Sequence, residues 1–337
     1  MTYDLFVGID IAATSAAVAW QQPATAQPGR LDIQQQPGDY ARLAQRLSDL
    51  AAPSRTLVVM EATGTYWQAL AFDFHQRGFI VSVVNPAQPR HFARLCLQRA
   101  KTDALDARLL AEFARRMQPE PWTPPPAIAE RLAHRLALRE DFLACQLQQR
   151  NRLHALRHCP HADPALFQRL RQHHAFLQRQ ISQLTREIRS LLLSDPAWAT
   201  PARHLLSIPG IGILTAAWLL VATHAFTRCQ SPEQAVAFAG LAPHACESGA
   251  SLRGQRHVGG GHAALRRVLY MAAGVAARFN PTLKPVYQRL LAHGKLKKVA
   301  RIAVARKLVH LAWALVKHDC DFDPTFAHPR RVGQMLS

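Results

Sequence analysis

The chain is short of acid. Its 337 residues carry 22 Asp and Glu against 41 Lys and Arg, a formal charge of +19. An imbalance of that size points to a polyanionic partner, most often nucleic acid. The shortage is local. Residues 1–123 hold 12 basic and 11 acidic side chains and are nearly neutral, whereas Ser248 to His318 holds 14 Lys and Arg and no acid. Such a stretch repels itself unless phosphates or counterions neutralise it. Cysteine is also sparse: six residues, scattered, with no C-x-x-C pair. That argues against a disulfide framework and fits reduced thiols in the cytosol. Asp4 and Asp10 interrupt the N-terminus, so no signal peptide is expected. The longest apolar run, "ILTAAWLLVA", reaches about half a membrane span, so no membrane role is expected.

What is present is a globular chain, 49% apolar, long enough for two or three domains with a sizeable core. "DLFVGID" reads as a buried strand ending at Asp10, "SAAVAWQ" as its hairpin partner and "RLDIQQQ" as a weaker third strand. A helix over "GDYARLAQRLSDLAA", the strand "RTLVVMEA", the helix "TYWQALAFDFHQRG", the strand "FIVSVV" and the helix "DALDARLLAEFARRM" follow. That order predicts an α/β domain over 1–120, a mixed sheet covered by helices, of the ribonuclease-H kind. The proline-rich "PEPWTPPPA" then signals a linker. Two long helices over about 127–157 and 164–193 carry a heptad seam at Leu170, Leu177, Leu184 and Leu191 with Ile181 and Ile188. They predict an antiparallel coiled-coil hairpin over 127–195, packed on itself or used for dimerisation. A third, mostly helical domain is predicted over 200–325.

Four acids stand out. Asp10 and Glu61 end strands, and Asp103 and Asp106 lie three apart in "KTDALDAR", on one face of a helix. A carboxylate at the end of a buried strand is costly without a partner. Two strand-end acids and such a pair can converge at one sheet edge, where they repel unless divalent cations lie among them. Mg²⁺ favours all-oxygen sites, and two such ions can clamp the attacking and leaving oxygens of a phosphoryl transfer.

"GID", "EATGTYW", "VVNPAQPRHFA" and "AKTDALDARLLAEF", with "IPGIG", "FAGLAP", "ESGASLRG" and "ALRRVLYMAA" further on, make the chain resemble a family over nearly its whole length. The family is that of the RuvC-like, DEDD-motif insertion-sequence transposases, bridge-RNA-guided recombinases related to the Piv-type DNA invertases. The resemblance implies a RuvC-like N-terminal domain holding Mg²⁺, with Mn²⁺ able to substitute, through Asp10, Glu61, Asp103 and Asp106. It implies a nucleophilic serine at Ser248 in a C-terminal transposase domain, and a meeting of one protomer's acids with another's serine. It further implies double-stranded DNA at element ends and target as substrate, a structured guide RNA, a homo-oligomer (dimer or tetramer), and work at the bacterial nucleoid in the cytoplasm.

The residues around Ser248 suit phosphate chemistry. Gly249 and Gly254 allow close backbone approach, and Arg253 and Arg256 can neutralise phosphate oxygens. Ser251 is a rival nucleophile or a supporting group. Gly210 and Gly212 of "SIPGIG" suggest a turn whose N–H groups face DNA phosphates, or a plain tight turn. Arg266 and Arg267 are further nucleic-acid candidates. The patch Gly259–His262 departs from the more polar stretch usual in the family. A zinc site at His154, His158, Cys159 and His161 is disfavoured, because these residues lie on a charged helix end and turn. A metal-only RuvC-type endonuclease or resolvase is the alternative function.

Overall fold

Strand β1 (Leu5–Ile11) is apolar along most of its length because it is covered on both faces. It pairs antiparallel with β2 (Ser15–Gln21), which pairs with β3 (Gly29–Gln34), and it pairs parallel with β4 (Thr56–Glu61), itself parallel to β5 (Ile80–Val84). The order is β3-β2-β1-β4-β5. The computed structural model describes residues 2–23, 28–97, 102–248 and 252–325.

Alternate residues of these strands serve opposite layers. Leu5, Val7, Ile9, Val18, Val58 and Met60 pack with Leu43 and Leu47 of α1 (Pro37–Ser48) and Leu70 and Phe74 of α2 (Gln68–Gln76). Phe6, Leu57, Val59 and Val84 pack with Phe92 of α3 (Ala87–Leu95) and Leu110, Phe113 and Ala114 of α4 (Asp103–Met117). The unit therefore has helix, sheet and helix layers, built by the predicted element order with one addition. Helix α3 lies in a segment that reads as irregular because of its prolines. Pro89 sits in its first turn, where its missing N–H has no intrahelical partner to lose.

Gly8 sets how closely α4 approaches. A Cβ there would lie 2.2 Å from the Ala111 nitrogen and 2.3 Å from the Ala107 oxygen, both backbone atoms that cannot yield separately. The proline-rich segment after α4 is docked rather than loose. Trp122 stacks edge-on against Trp67, Phe72 and His75, and its N–H donates to Val81 O at 2.7 Å. The compact unit accordingly extends over Met1–Pro124.

The second unit, Pro125–Ser337, is mostly helical. Helices α5 (Ala127–Leu156) and α6 (Pro164–Ser194) run antiparallel, as three cross-links of nearly constant residue sum show. Arg135 faces Glu187 at 3.4 Å, Arg139 Nε donates to Thr185 Oγ1 at 2.9 Å, and Gln146 Nε2 donates to Gln178 Oε1 at 2.9 Å. Leu177, Leu184 and Ile188 of the heptad seam are buried within the chain. The base of this pair, with Ile128, Leu132, Leu136, Ile188 and Leu192, shares one core with α7 (Pro196–Ser207), α8 (Ile213–Thr223), α9 (Pro232–Phe238), α10 (Ala263–Phe279), α11 (Leu283–Ala292) and α12 (Lys297–Lys317). Helix α8, the long apolar run, is buried nearly all round inside that core, and among the described residues no helix is long and apolar enough to cross a membrane. Between α9 and α10 the chain forms a two-stranded hairpin, β6 (Pro243–Ser248) with β7 (Leu252–Val258). The helical expectation for this region missed that hairpin, because Gly and Ser in "ESGASLRG" read as loop and the flanking residues are polar.

Replacing Gly8 by Ala is expected to destabilise the first unit by about 1–3 kcal/mol through overpacking, seen as a lowered Tm by calorimetry. Gly38→Ala is the control, because nothing lies within 4 Å of a Cβ there. Equal Tm values for the two variants would show that α4 lifts from the sheet at no cost.

Candidate functional site

The strand register fixes two of the four acids. Ile9 pairs with Met60 across the parallel β1–β4 ladder, so Asp10 and Glu61 stand level at the C-terminal ends of adjacent strands. Both are half-buried. Glu61 accepts a hydrogen bond from Thr63 Oγ1 at 2.7 Å. Thr63 was missed as a site residue, although its place in "EATG", two residues beyond the acid, is the signal. Gly64 then takes φ of 59°, and Trp67 Nε1 donates to its carbonyl at 3.1 Å, folding the loop back after the acid.

The other two acids come with α4. Thr102 caps it, its Oγ1 accepting from Leu105 N at 3.3 Å. Asp103 and Asp106 occupy the first turn, where the helix dipole favours negative charge. The direction of α4 follows from three levels of contact. Gln21, paired with Phe6, donates to Glu112 Oε2 at 2.9 Å. Gly8 meets Ala107 and Ala111, and Ala17, paired with Asp10, packs with Ala107. Helix α4 therefore runs antiparallel to β1, and its first turn comes to the strand end that carries Asp10. The fold thus brings all four predicted acids to one sheet edge. Among the described residues no three Asp, Glu, His or Cys side chains gather closely enough to hold a metal ion. That holds for the disfavoured zinc set as well, where the His154 and His158 rings are 5.0 Å apart. The four-carboxylate donor set is the kind that hard divalent cations take, so the residues fit such an ion chemically.

Glu112 locks α4 in place. It takes a two-pronged hydrogen bond from Arg115, at 2.7 and 3.0 Å, and further ones from Gln21 and Arg116. Arg115 foremost, with Gln21 and Arg116, holds its carboxyl down to about 2 against partial burial.

In the second unit Ser248 ends β6 opposite Leu252, with a register shift between Cys246 and Ser248. Arg253 and Arg256 lie on β7. Gly249 and the rival Ser251 lie outside the described residues. Gly210 and Gly212 differ in kind. Gly210, with φ of 112°, is pressed on α10, where a Cβ would lie 2.7 Å from Ala276 Cβ, so its lack of a side chain serves packing. Gly212 is exposed at the N-terminus of α8, with nothing within 4 Å of a Cβ and no side chain capping the helix. It is the one of the two whose neighbouring N–H groups are open to an anion.

Arg266 and Arg267 also part company. Arg266 Nη1 donates to Gly260 O at 2.5 Å and lies where a Cβ on Gly240 would be, 2.2 Å away. It braces the glycine patch against the "FAGLAP" turn. Gly261 completes the junction, since a Cβ there would lie 2.5 Å from Phe238 O, and His262 Nδ1 caps α10 by accepting from Leu265 N at 3.2 Å. The role of Gly259–His262 is thus to seat α10. Arg267 pairs with Glu140 at 2.8 Å and keeps its side chain 65% exposed.

The architecture is a mixed sheet with Asp10 and Glu61 level at its strand ends, followed in the chain by a helical unit rich in unbalanced cations. Comparison with known proteins supplies the class. A sequence model for the DEDD transposase domain of IS110 elements matches residues 7–159, and one described as transposase of the IS116/IS110/IS902 family matches residues 202–288. The pilin gene-inverting protein of Moraxella bovis is 32% identical over 269 residues, covering 79% of this chain and 81% of that protein. The transposase for insertion sequence element IS1328 of Yersinia enterocolitica is 25% identical over 304 residues, covering 79% and 85%. An uncharacterized 43.6 kDa protein of insertion element IS110 in Streptomyces coelicolor is 30% identical over 154 residues, covering 46% and 36%. The chain belongs to the IS110 family of DEDD-motif insertion-sequence transposases, enzymes that cleave and rejoin DNA. Membership of a DEDD family supports use of a divalent metal.

The Glu112 lock gives a pH test. A carboxyl held at about 2 in the fold, below its ordinary value near 4.3, contributes stability that is fully present above that ordinary value. The contribution is lost as pH falls toward the folded value. Glu112→Gln is therefore expected to lower stability by about 1–2 kcal/mol at pH 7, and the gap in urea-unfolding curves should close between about pH 4 and pH 2. A gap independent of pH would assign the loss to packing instead.

Proposed function

We propose that this transposase cleaves and rejoins DNA through a transient phosphoserine link at Ser248, in a Mg²⁺-dependent reaction guided by a structured RNA. What supports the reading is that Asp10 and Glu61 stand level on adjacent strands, while the first turn of α4, with Asp103 and Asp106, runs toward the same strand ends. These four residues would hold the cation, Mg²⁺ or Mn²⁺ in its place, which supplies positive charge for the attacking and leaving oxygens. Ser248 Oγ forms a bond to phosphorus as it gives up its proton, and the bond to one deoxyribose oxygen breaks, that oxygen taking up a proton. The link conserves the phosphodiester's energy, so a strand hydroxyl can later displace the serine and reseal the backbone. Ser251, Arg253, Arg256, Arg267 and the N–H groups beside Gly212 are assigned to phosphates, which they position without reading sequence. Base pairing by the RNA would then select donor and target, a division of labour in which protein holds backbone. A homo-oligomer, dimer or tetramer, working on the nucleoid in the bacterial cytoplasm completes the proposal.

The experiment is a suicide DNA substrate incubated with the protein and Mg²⁺, denatured and mapped by mass spectrometry. A DNA-linked peptide at Ser248 is expected, absent in Ser248→Ala and reduced at least a hundredfold in Asp10→Asn and Glu61→Gln. A link at Ser251 would move the nucleophile. Free 3′-hydroxyl and 5′-phosphate ends without an adduct would replace the proposal with a metal-only nuclease.

The acid-free stretch predicts a second result. DNA affinity is expected to fall steeply with salt, with a log–log slope of about −0.9 per neutralised phosphate, measured by fluorescence anisotropy. An affinity unchanged between low and moderate salt would remove the phosphate contacts from the reading.

A further inference from the structure

A cavity of about 420 Å³ opens among the end of β7, the start of α10 and α12, lined by Val258, Ala263, Arg266, Arg267, Tyr270 and Ile302. Three of these residues are apolar, two are cationic, and one is aromatic. Arg301 lies over the Tyr270 ring, its Cζ 5.0 Å from the centroid. Gly274 lies against it: a Cβ there would sit 3.6 Å from Arg301 Cζ and Nε, in ordinary contact. Arg301 Nε is buried and has no hydrogen-bond partner. A buried donor left without an acceptor is costly, and the ring face offsets part of that cost. Arg301 thus backs the ring from outside the cavity lining and makes it a fixed, cation-supported platform.

The geometry points to a nucleotide site: the cavity takes one unpaired DNA base against Tyr270, with Arg267 at a flanking phosphate. Single-strand binding sites combine an aromatic platform with cations that follow the backbone, and this cavity has both. Arg267 is available because its own side chain is 65% exposed, and Glu140, 21% exposed, keeps Arg139 at 3.5 Å when a phosphate takes the place of Arg267. An acidic peptide would satisfy Arg267 but gain nothing from the ring. The assignment to DNA rests on the Ser248 proposal. Val258 of β7 pairs with Pro243 of β6 at the base of the hairpin, and Ser248 lies five residues beyond Pro243 on β6. That is roughly 17 Å at ~3.3 Å per residue, or about five stacked nucleotides at ~3.4 Å each. A base held there would be pulled from the stack within a few nucleotides of the phosphate that Ser248 addresses, at an unstacking cost of a few kcal/mol.

The test uses the full-length protein with single-stranded DNA carrying 2-aminopurine at successive positions, and a fully paired duplex of the same sequence. One position within about five nucleotides of the cleaved bond is expected to change fluorescence on binding. Tyr270→Leu should weaken single-strand affinity about five- to hundredfold, the range for one stacked base, while Tyr270→Phe keeps it. Ala263→Glu, at an exposed first-turn position where an acid does not harm the helix, should weaken it as well. Duplex affinity should change less than twofold in the two Tyr270 variants. Folding is checked by circular dichroism, and Ala263→Glu answers if Tyr270→Leu fails to fold. Unchanged single-strand affinity in folded Tyr270→Leu and Ala263→Glu overturns the site, as does tighter binding of the matching RNA. The two proposals fail separately. A serine adduct that forms as expected while no base position responds sinks only the cavity. A Tyr270-dependent fluorescence response in a protein that makes no adduct sinks only the serine.

Discussion

The contact between a strand that has no side chain at Gly8 and the backbone of α4 is the constraint on which the acidic edge depends. Helix and strand are in van der Waals contact there, so α4 has one height above the sheet and little freedom to rock. Glu112 ties α4 to β2 through Gln21, while Arg115 and Arg116 of its own helix hold its carboxylate in place. Asp103 and Asp106 are therefore delivered to the strand ends by packing more than by their own interactions.

The second unit uses its positive charge in two different ways. Some cations are structural, such as Arg266, which seats the glycine patch, and Arg301, which is closed in against Tyr270. Others, such as Arg267, stay at the surface. A count of Lys and Arg in the sequence cannot separate the two, because separation depends on which glycines leave room for a guanidinium. Gly240 does so here for Arg266, and it carries no local signal for it.

The N-terminal sheet was legible because its strands are apolar, bounded and in an order with few topologies. The four acids stood out in the sequence because two of them end strands and two share a helix face. What strand order alone left open was the level of Asp10 against Glu61, which is set by register. The β6–β7 hairpin was not legible, since its residues are neither alternating nor apolar, and pairing with each other is what makes them strands. Gly210 and Gly212 looked alike in "SIPGIG", yet tertiary packing against Ala276 distinguishes them. A 3.5-residue period says nothing about whether the partner helix belongs to the same chain, and here Leu177, Leu184 and Ile188 of the predicted seam are buried within it.

The antiparallel pair of α5 and α6 is rooted in the core only at its base, and beyond that Leu138, Leu147, Leu166 and Phe176 are exposed. Its outer length is thereby uncoupled from the rest of the fold. Adding or deleting one heptad in each helix would leave every core contact in place and move the tip by about 10 Å, at 1.5 Å per residue. The arm is a ruler graduated in heptads, and the spacing of whatever its tip touches can drift through evolution in steps without the catalytic unit being rebuilt.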